Sequence, residues 1–444
     1  MEDLVCLLVE ELYGEHPKTL VNQLQQRNGQ TLKQLQTSCN LTYGDVRNAV
    51  VMLIQQNIIY SDDSDPPKYT LSTSEVLARN RFARYVQHIG LRFGLPEVAE
   101  ELLENGSMTI EQIEEKLLGS FRRAEVDGLK QKLSQMVECE YLVPLDAKPE
   151  LEQPRTPAKR GRTAKTPKAR KLLKTNDEEA EPTTTAALPV RVSTAGTYYR
   201  LNFSLLNKEF YSSIISTLVS YKLNVQCAVI AETLYKDYTP KGMHIEELLT
   251  KLPENPKLNK SSVKSFLERM QEDSGEFVIA KASDVYALNL AKIRTLLKQK
   301  TVHKIVRNRF GDYYERVFRV LSTKGLLDDR SVATLTLLPN KEARVCLNEL
   351  VEAGFVYVQE VHNEVFYGVK LDEVTQLLAD SISTSIINLR LRLKSEMDEA
   401  FDLTRRSSLN NEELLKLEQY KQTEAKVESA LSELDKMSLI LAEN

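Results

Sequence analysis

Along most of the chain, apolar residues recur at spacings of three and four. At intervals this pattern gives way to short runs of branched and aromatic residues. The first pattern predicts amphipathic helices and the second predicts short strands. In the first block, Leu32-Lys33-Gln34-Leu35 opens a short helix, and Val46, Val50, Leu53 and Ile54 stripe a longer one. Ile58-Ile59-Tyr60 and Tyr69-Thr70-Leu71 read as a β-hairpin around Asp65-Pro66-Pro67. A second block runs from Thr109-Ile110-Glu111-Gln112-Ile113 through Val126, Leu129, Leu133, Met136 and Val137 to the strand Tyr141-Leu142-Val143. In a third, Ile245, Leu248 and Leu249 precede Val263, Phe266, Leu267 and Met270, with strands at Phe277-Val278-Ile279 and Val285-Tyr286-Ala287-Leu288. A fourth has Val332-Ala333, then Ala343, Cys346, Leu347 and Leu350, then strands at Phe355-Val356-Tyr357-Val358 and Val365-Phe366-Tyr367-Gly368-Val369.

The blocks start at 31, 109, 244 and 331. One gap is longer than the others by roughly 50 residues, the size of an intervening linker. Two helices followed by a two-stranded wing is the pattern of a winged helix, a variant of the helix-turn-helix. The last segment differs. Ile382, Ile386, Leu389, Leu393 and Met397 form one stripe, and Tyr420, Val427, Leu434 and Leu441 recur every seven residues. Ser407-Ser408-Leu409-Asn410-Asn411 separates the stripes, and Asn410 with Glu413 reads as an N-cap with its capping-box partner. That pattern predicts an antiparallel helical hairpin, a short coiled coil.

The expected fold is therefore mainly α with small β wings: four tandem winged-helix domains followed by the helical hairpin. The expected boundaries are 1–74, 75–145, 196–290 and 291–375 for the winged helices and 376–444 for the hairpin. Between them, 146–195 reads as a linker. It carries Pro149, Pro154, Pro157, Pro167, Pro182 and Pro189 and few large apolar residues, so it offers too little surface to offset its ordering entropy.

Composition narrows the class. With 444 residues, 42% of them hydrophobic and 27% charged, the chain has material for several packed cores. No apolar run reaches the length a membrane helix needs, and none is expected. Met1-Glu2-Asp3 is acidic where a signal peptide would be basic, so secretion is not expected. The five cysteines, Cys6, Cys39, Cys139, Cys227 and Cys346, are scattered and odd in number. That argues against a disulfide framework or a CxxC zinc site and for a reducing compartment.

Catalytic motifs are missing from the sequence. It has no GxxxxGK[ST] loop, GxGxxG, HExxH or GxSxG. His16, His88, His244, His303 and His362 lack metal-ligand spacing. No catalytic residue, metal site, cofactor or small-molecule ligand is expected.

A net charge of −4 conceals an uneven distribution. Arg155, Lys159, Arg160, Arg162, Lys165, Lys168, Arg170, Lys171 and Lys174 form a run with no acidic residue, and Asp177, Glu178, Glu179 and Glu181 follow it. Nine cations on one segment can pair with DNA phosphates, serve as a nuclear-import signal, or remain solvated. The longer helices of the winged-helix blocks are poor groove readers by comparison. Arg47 is balanced by Asp45 in the first, and Lys341 and Arg344 are outnumbered by Glu342, Glu349 and Glu352 in the fourth. Since phosphate attraction dominates DNA affinity, these blocks read as protein-docking modules. Leu389, Leu393, Val427 and Leu434 of the hairpin are candidate partner-docking residues.

Three stretches carry a resemblance. Arg309-Phe310-Gly311, Arg316-Val317-Phe318-Arg319-Val320, Pro339-Asn340-Lys341-Glu342-Ala343 and Phe355-Val356-Tyr357-Val358-Gln359-Glu360-Val361 lie in the fourth block. Arg81-Phe82-Ala83-Arg84-Tyr85 leads to Glu100-Glu101-Leu102-Leu103-Glu104-Asn105-Gly106 in the second, and the helix from Leu4 to Tyr13 ends in Gly14-Glu15. Together with the order of the blocks, these resemble the largest subunit of the RNA polymerase III-specific heterotrimer, a multi-winged-helix family related to the large subunit of transcription factor IIE. The resemblance implies a non-catalytic nuclear polymerase subunit acting in initiation. The partners it implies are the two other heterotrimer subunits, the clamp of the largest polymerase subunit, initiation factor IIIB and promoter DNA. It also implies that the chain helps open the promoter for synthesis of small RNAs such as tRNA and 5S rRNA. A free-standing multi-winged-helix regulator is the alternative, and it would require strongly basic recognition helices.

Overall fold

The computed structural model describes residues 2–62, 64, 66–117, 126–145, 197–253, 259–273, 275–362, 364–405 and 410–442. The chain opens with α1 (Glu2–Tyr13), α2 (Glu15–Gln26), β1 (Gln30–Thr31), α3 (Leu32–Cys39), α4 (Tyr43–Gln55), β2 (Ile59–Ser61) and β3 (Lys68–Leu71). Then come α5 (Thr73–Ala78), a 3₁₀ turn at Arg79–Arg81, α6 (Phe82–Phe93) and α7 (Pro96–Asn105). The strand-helix-helix-strand-strand order next recurs as β4 (Met108–Thr109), α8 (Ile110–Leu117), α9 (Val126–Glu138), β5 (Leu142–Leu145) and β6 (Tyr198–Leu201). After α10 (Phe203–Lys222) and α11 (Val225–Lys236) it recurs as β7 (Met243–His244), α12 (Ile245–Lys251), α13 (Lys260–Glu272), β8 (Val278–Ala282) and β9 (Val285–Leu288). Beyond α14 (Leu290–Phe310) and α15 (Asp312–Lys324) it returns as β10 (Leu327–Asp328), α16 (Asp329–Thr336), α17 (Asn340–Glu352), β11 (Tyr357–Val361) and β12 (Glu364–Gly368). The chain ends in two long helices, α18 (Leu371–Thr404) and α19 (Asn411–Ala442).

Each block makes one three-stranded antiparallel sheet with its last strand in the centre: β1-β3-β2, β4-β6-β5, β7-β9-β8 and β10-β12-β11. Local chemistry repeats with it. The residue joining the first strand to the short helix caps that helix. Thr31 and Thr109 do so in capping boxes with Gln34 and Gln112. His244 accepts from the Glu246 N–H, and Asp328 from the Ser331 N–H. These acceptors satisfy amides that no helical carbonyl can reach.

The exit from each long helix also repeats. Asn57, Glu140, Glu276 and Gly354 all sit at positive φ. In each case the next residue donates its N–H to a carbonyl of the helix behind it: Ile58 to Leu53, Tyr141 to Met136, Phe277 to Met270 and Phe355 to Leu350, at 2.9–3.0 Å. That reversal drives Ile58, Tyr141, Phe277 and Phe355 into their cores, where all four are fully buried. Burying such a side chain is worth ~2–3 kcal/mol.

Two compact units result, Met1–Ala99 with Asn202–Asn444, and Glu100–Leu201. Within the larger unit there are two cores. One joins residues of the first block (Leu20, Val46, Leu53) to the fourth (Phe318, Leu347, Phe355) and to α18 (Ile382, Ile386). The other gathers the third block around Ile215, Ile230, Leu267 and Phe277. Helix α14 serves both, giving Ile293 and Leu297 to one and Val302 and Val306 to the other. Near its end α19 does the same, with Leu439 and Ile440 in one core and Leu441 in the other.

One expected boundary moves. Tyr198–Leu201 fell within 196–290, the expected third winged helix, yet it is the central strand of the second sheet. Leu142 pairs with Leu201, and Leu145 with Tyr198. Along β6 the alternation is regular, with Tyr199 and Leu201 buried. Without it β5 and β4 would have no strand between them. The expected linker 146–195 is thus an insertion within the hairpin of the second wing, and that long separation hides the pairing from any local reading of the sequence. Residues 146–196 lie outside the described residues.

Candidate docking surfaces and an ionic clamp

The motif Arg81-Phe82-Ala83-Arg84-Tyr85 forms the start of α6, and its side chains meet α10 and α19. Asp435 on α19 is only 2% exposed. Arg81 Nε donates to its two oxygens at 2.9 and 3.0 Å, Arg84 Nη1 at 3.1 Å and Asn80 Nδ2 at 3.3 Å. Burial opposes the charge of Arg81, and Asp435 more than offsets this, leaving the guanidinium pKa raised. Arg81 Nη1 also donates to Asn207 Oδ1 on α10 at 3.2 Å, and Tyr85 OH donates to the same oxygen at 2.8 Å. Burial pushes the Tyr85 phenol up to about 12, so it stays a neutral donor. A carboxylate buried with this many donors is held in place by charge-assisted bonds, and it fixes three helices at one point.

Aromatic rings extend the joint. Tyr85 stacks between Phe203 (5.1 Å, 13°) and Phe210 (5.7 Å, 6°), and the Arg84 guanidinium lies 4.4 Å from the Phe210 ring centre. Further along, His88 and Arg92 both reach Glu209, at 2.7 and 2.8 Å. Arg390 on α18 adds a second tie, to Glu11 Oε2 at 2.8 Å and to Asn80 Oδ1 at 2.8 Å. The sequence marked Arg81–Tyr85 as a resemblance. The structure shows that these residues perform an internal task, holding α6, α10 and α19 together.

The two family-like helix junctions share one device. Gly14 separates α1 from α2 with φ 88° and ψ −171°, and Gly311 separates α14 from α15 with φ 108° and ψ −178°. Only glycine adopts that conformation without strain. It lets one helix stop and the next begin within a single residue.

The candidate hairpin anchors are placed differently from the sequence expectation. Val427 is buried, and Leu389, Leu393 and Leu434 pack partly buried against the larger core. They fasten α18 to α19 and both helices to the body, because the heptad positions that would meet a partner helix meet each other. The large apolar side chains left exposed among the described residues of this pair are Leu377, Leu391, Met397, Phe401, Leu414 and Leu415. Periodicity predicts the seam and does not reveal which side of it faces out.

All nine linker cations, Arg155 to Lys174, lie outside the described residues. The flanking strands are described, and the Leu145–Tyr198 pairing brings the two ends of the segment side by side. A second basic feature escaped the sequence reading. Helix α14 holds Lys292, Arg294, Lys298, Lys300, Lys304, Arg307 and Arg309 and no acidic residue. Its signal is in the sequence, as seven basic residues over 292–309 with no acidic one, on the helix that leads into the fourth block's strand-helix-helix unit. Part of its charge is answered by neighbouring elements, with Arg307 2.6 Å from Asp312 and Lys304 3.6 Å from Glu433. Among the described residues, no cluster of His, Cys, Asp and Glu is arranged to hold a metal ion, and no helix is long and apolar enough to cross a membrane.

Comparison with known proteins places these features. Residues 3–60 match the RNA polymerase III subunit RPC82 helix-turn-helix domain, and residues 302–369 match the POLR3C C-terminal winged-helix domain. These segments contain Gly14 and Gly311. DNA-directed RNA polymerase III subunit RPC3 of Rattus norvegicus is 23% identical across 89% of this chain and 84% of its own length. The Homo sapiens protein of the same name is 22% identical over the same shares. That of Dictyostelium discoideum is 27% identical over 42% of this chain and 32% of its own. The similarity runs along most of the chain and includes both matched domains, and it indicates a non-catalytic RNA polymerase III subunit similar to those proteins.

Proposed function

We propose that the chain acts during transcription initiation as a scaffold on the clamp of the largest polymerase III subunit, together with its two heterotrimer partners. In this reading it works in the nucleus, contacts initiation factor IIIB and promoter DNA, and helps open the promoter for small RNAs such as tRNA and 5S rRNA. The supporting observation is the way the blocks are joined. The first and fourth share one apolar core, and the third is tied through Asn207 to Arg81, which Asp435 in turn holds to α19. A rigid frame of this kind raises the effective concentration of the groups it carries, without bond chemistry. The proposed winged helices are 1–74, 75–145 together with 197–201, 202–290 and 291–375.

The outward apolar residues of the terminal helix pair, Met397, Phe401, Leu414 and Leu415, are the proposed polymerase anchors. The nine cations inserted in the second wing serve as a phosphate contact or an import signal. Changing all nine to Ala separates these roles, since one loses promoter opening in vitro and the other loses nuclear accumulation in cells.

The test is promoter opening by polymerase III reconstituted with and without this chain. Permanganate reactivity at the start site is expected to vanish without it, while transcription from a pre-melted bubble template persists. Normal opening by the depleted enzyme, or equal failure on both templates, would overturn the initiation role.

A further inference from the structure

Where the two cores of the larger unit meet, α10, α14 and α19 leave a cleft of about 200 Å³. Its floor is apolar, formed by Ile214, Leu218, Leu297, Met437 and Ile440. Its edge is cationic. Lys300, Lys304 and Lys436 line it, and Lys222 lies close enough to act on Lys300. The one carboxylate lining the cleft is Glu433, and its link to Lys304 is loose at 3.6 Å with both side chains more than half exposed. Burial lowers the Lys300 pKa, and Lys222, Lys304 and Lys436 lower it further, so this charge is under-compensated. At the margin Tyr221 is 79% exposed, with Lys300 Nζ 4.3 Å from its ring centre.

We propose that this cleft is a docking site for an acidic segment of a partner protein, one that inserts an apolar side chain between α10, α14 and α19 while its carboxylates meet Lys222, Lys300, Lys304 and Lys436. Charge complementarity selects the occupant. Clustered ammonium groups repel one another and gain from an incoming anion. The apolar floor favours a peptide over a nucleic-acid strand, whose phosphates would bring nothing to fill it, and a cavity of this size accepts about one large side chain. Tyr221 supplies a rigid aromatic contact at the rim, a residue type enriched among binding hot spots. The occupant is defined by its chemistry alone, so the site stands or falls separately from the initiation role.

The probe is a short fluorescein-labelled peptide of Glu and Asp around a central Leu-Phe pair, titrated with the full chain and read by anisotropy. Controls are the same peptide with Gln and Asn for its acids, the same peptide with Ser-Ser for Leu-Phe, and a single-stranded oligodeoxythymidylate. The acidic apolar peptide is expected to bind, to weaken with salt, and to bind about tenfold more tightly than either altered peptide. Lys300→Glu combined with Lys436→Glu is expected to weaken it at least tenfold. Thr217→Trp, which fills the cleft from an exposed position without changing charge, is expected to do the same. Both variants must keep the wild-type unfolding midpoint, and Thr217→Trp decides the matter if the charge reversal unfolds the chain. Absence of peptide binding, binding that both variants retain, or tighter oligonucleotide binding lost in the same variants would overturn the proposal.

Discussion

The first and fourth blocks are joined to each other by oil, whereas the third, which shares apolar residues with the end of α19, is joined to α6 by polar bonds and ion pairs that continue to α19 through Asp435. In the first case Leu20, Val46 and Leu53 share a continuous apolar core with Phe318, Leu347 and Phe355. In the second, Asp435 gathers Arg81, Arg84 and Asn80, and Asn207 takes bonds from Arg81 and Tyr85. The two joints fail differently. An apolar joint loses free energy in proportion to the surface removed, whereas a buried ionic joint deprived of one partner keeps an uncompensated charge.

The largest expected effect follows from that contrast. Asp435→Ala leaves the buried Arg81 facing Asn207 with no carboxylate, and it should cost ~4 kcal/mol. Urea unfolding of the full chain, together with hydrogen exchange in α6 and α10, measures it. Exchange should rise in α6 and α10 and stay unchanged in α15 and α17. A uniform rise would mean that the clamp does not act as a separate joint.

The repeated helix exit allows a comparison within the repeat. Phe277 and Phe355 occupy the same station in the third and fourth blocks, and both are fully buried. Phe277→Ala and Phe355→Ala should each cost ~3–4 kcal/mol and agree within about 1 kcal/mol. A larger gap would show that the shared backbone reversal does not set the packing.

Much of this was legible in the sequence. Periods of three and four located the helices, and the starts at 31, 109 and 244 coincide with Thr31, Thr109 and His244, the capping residues. The fourth start fell a few residues late, since Asp328 does the capping while Val332 marks the apolar stripe. What stayed hidden depended on distance along the chain. Asp435 and Arg81 are 354 residues apart, and β6 is separated from β5 by the whole linker. Neither pairing has a local signal. The stripes predict the hairpin, and they leave its docking side open, because Leu389 and Val427 read alike whether they meet a neighbour or their own hairpin.

A smaller effect is expected at the helix junctions. Nothing lies within 4 Å of a Cβ built at Gly311, so Gly311→Ala meets no clash and tests backbone strain alone. At φ 108° and ψ −178° that strain should cost about 2 kcal/mol, read as a lower urea midpoint. Gly14→Ala should match it, since Gly14 has nearly the same angles and equally open surroundings. A negligible effect at both would mean that the junctions relax by shifting one helix start.

The smallest effect has the opposite sign, and it separates the third block from the fourth. Glu276 and Gly354 occupy the same positive-φ station, at 42° and 78°. For a residue with a Cβ that conformation costs ~1–2 kcal/mol, while glycine gives back about 0.5–1 kcal/mol in unfolded-state entropy. Glu276 is exposed, so Glu276→Gly should stabilise the chain by ~0.5–1 kcal/mol. At Gly354 a Cβ would lie 2.8 Å from Leu377 Cδ1 on α18, so Gly354→Ala must destabilise through strain and crowding together. Paired urea titrations should give shifts of opposite sign. In the fourth block the tip of Leu377 on α18 lies beside this exposed turn and adds crowding to the strain, whereas the third block carries an exposed glutamate at the same station. If both substitutions shifted stability in the same direction, positive-φ strain would not be what governs this station in the two blocks.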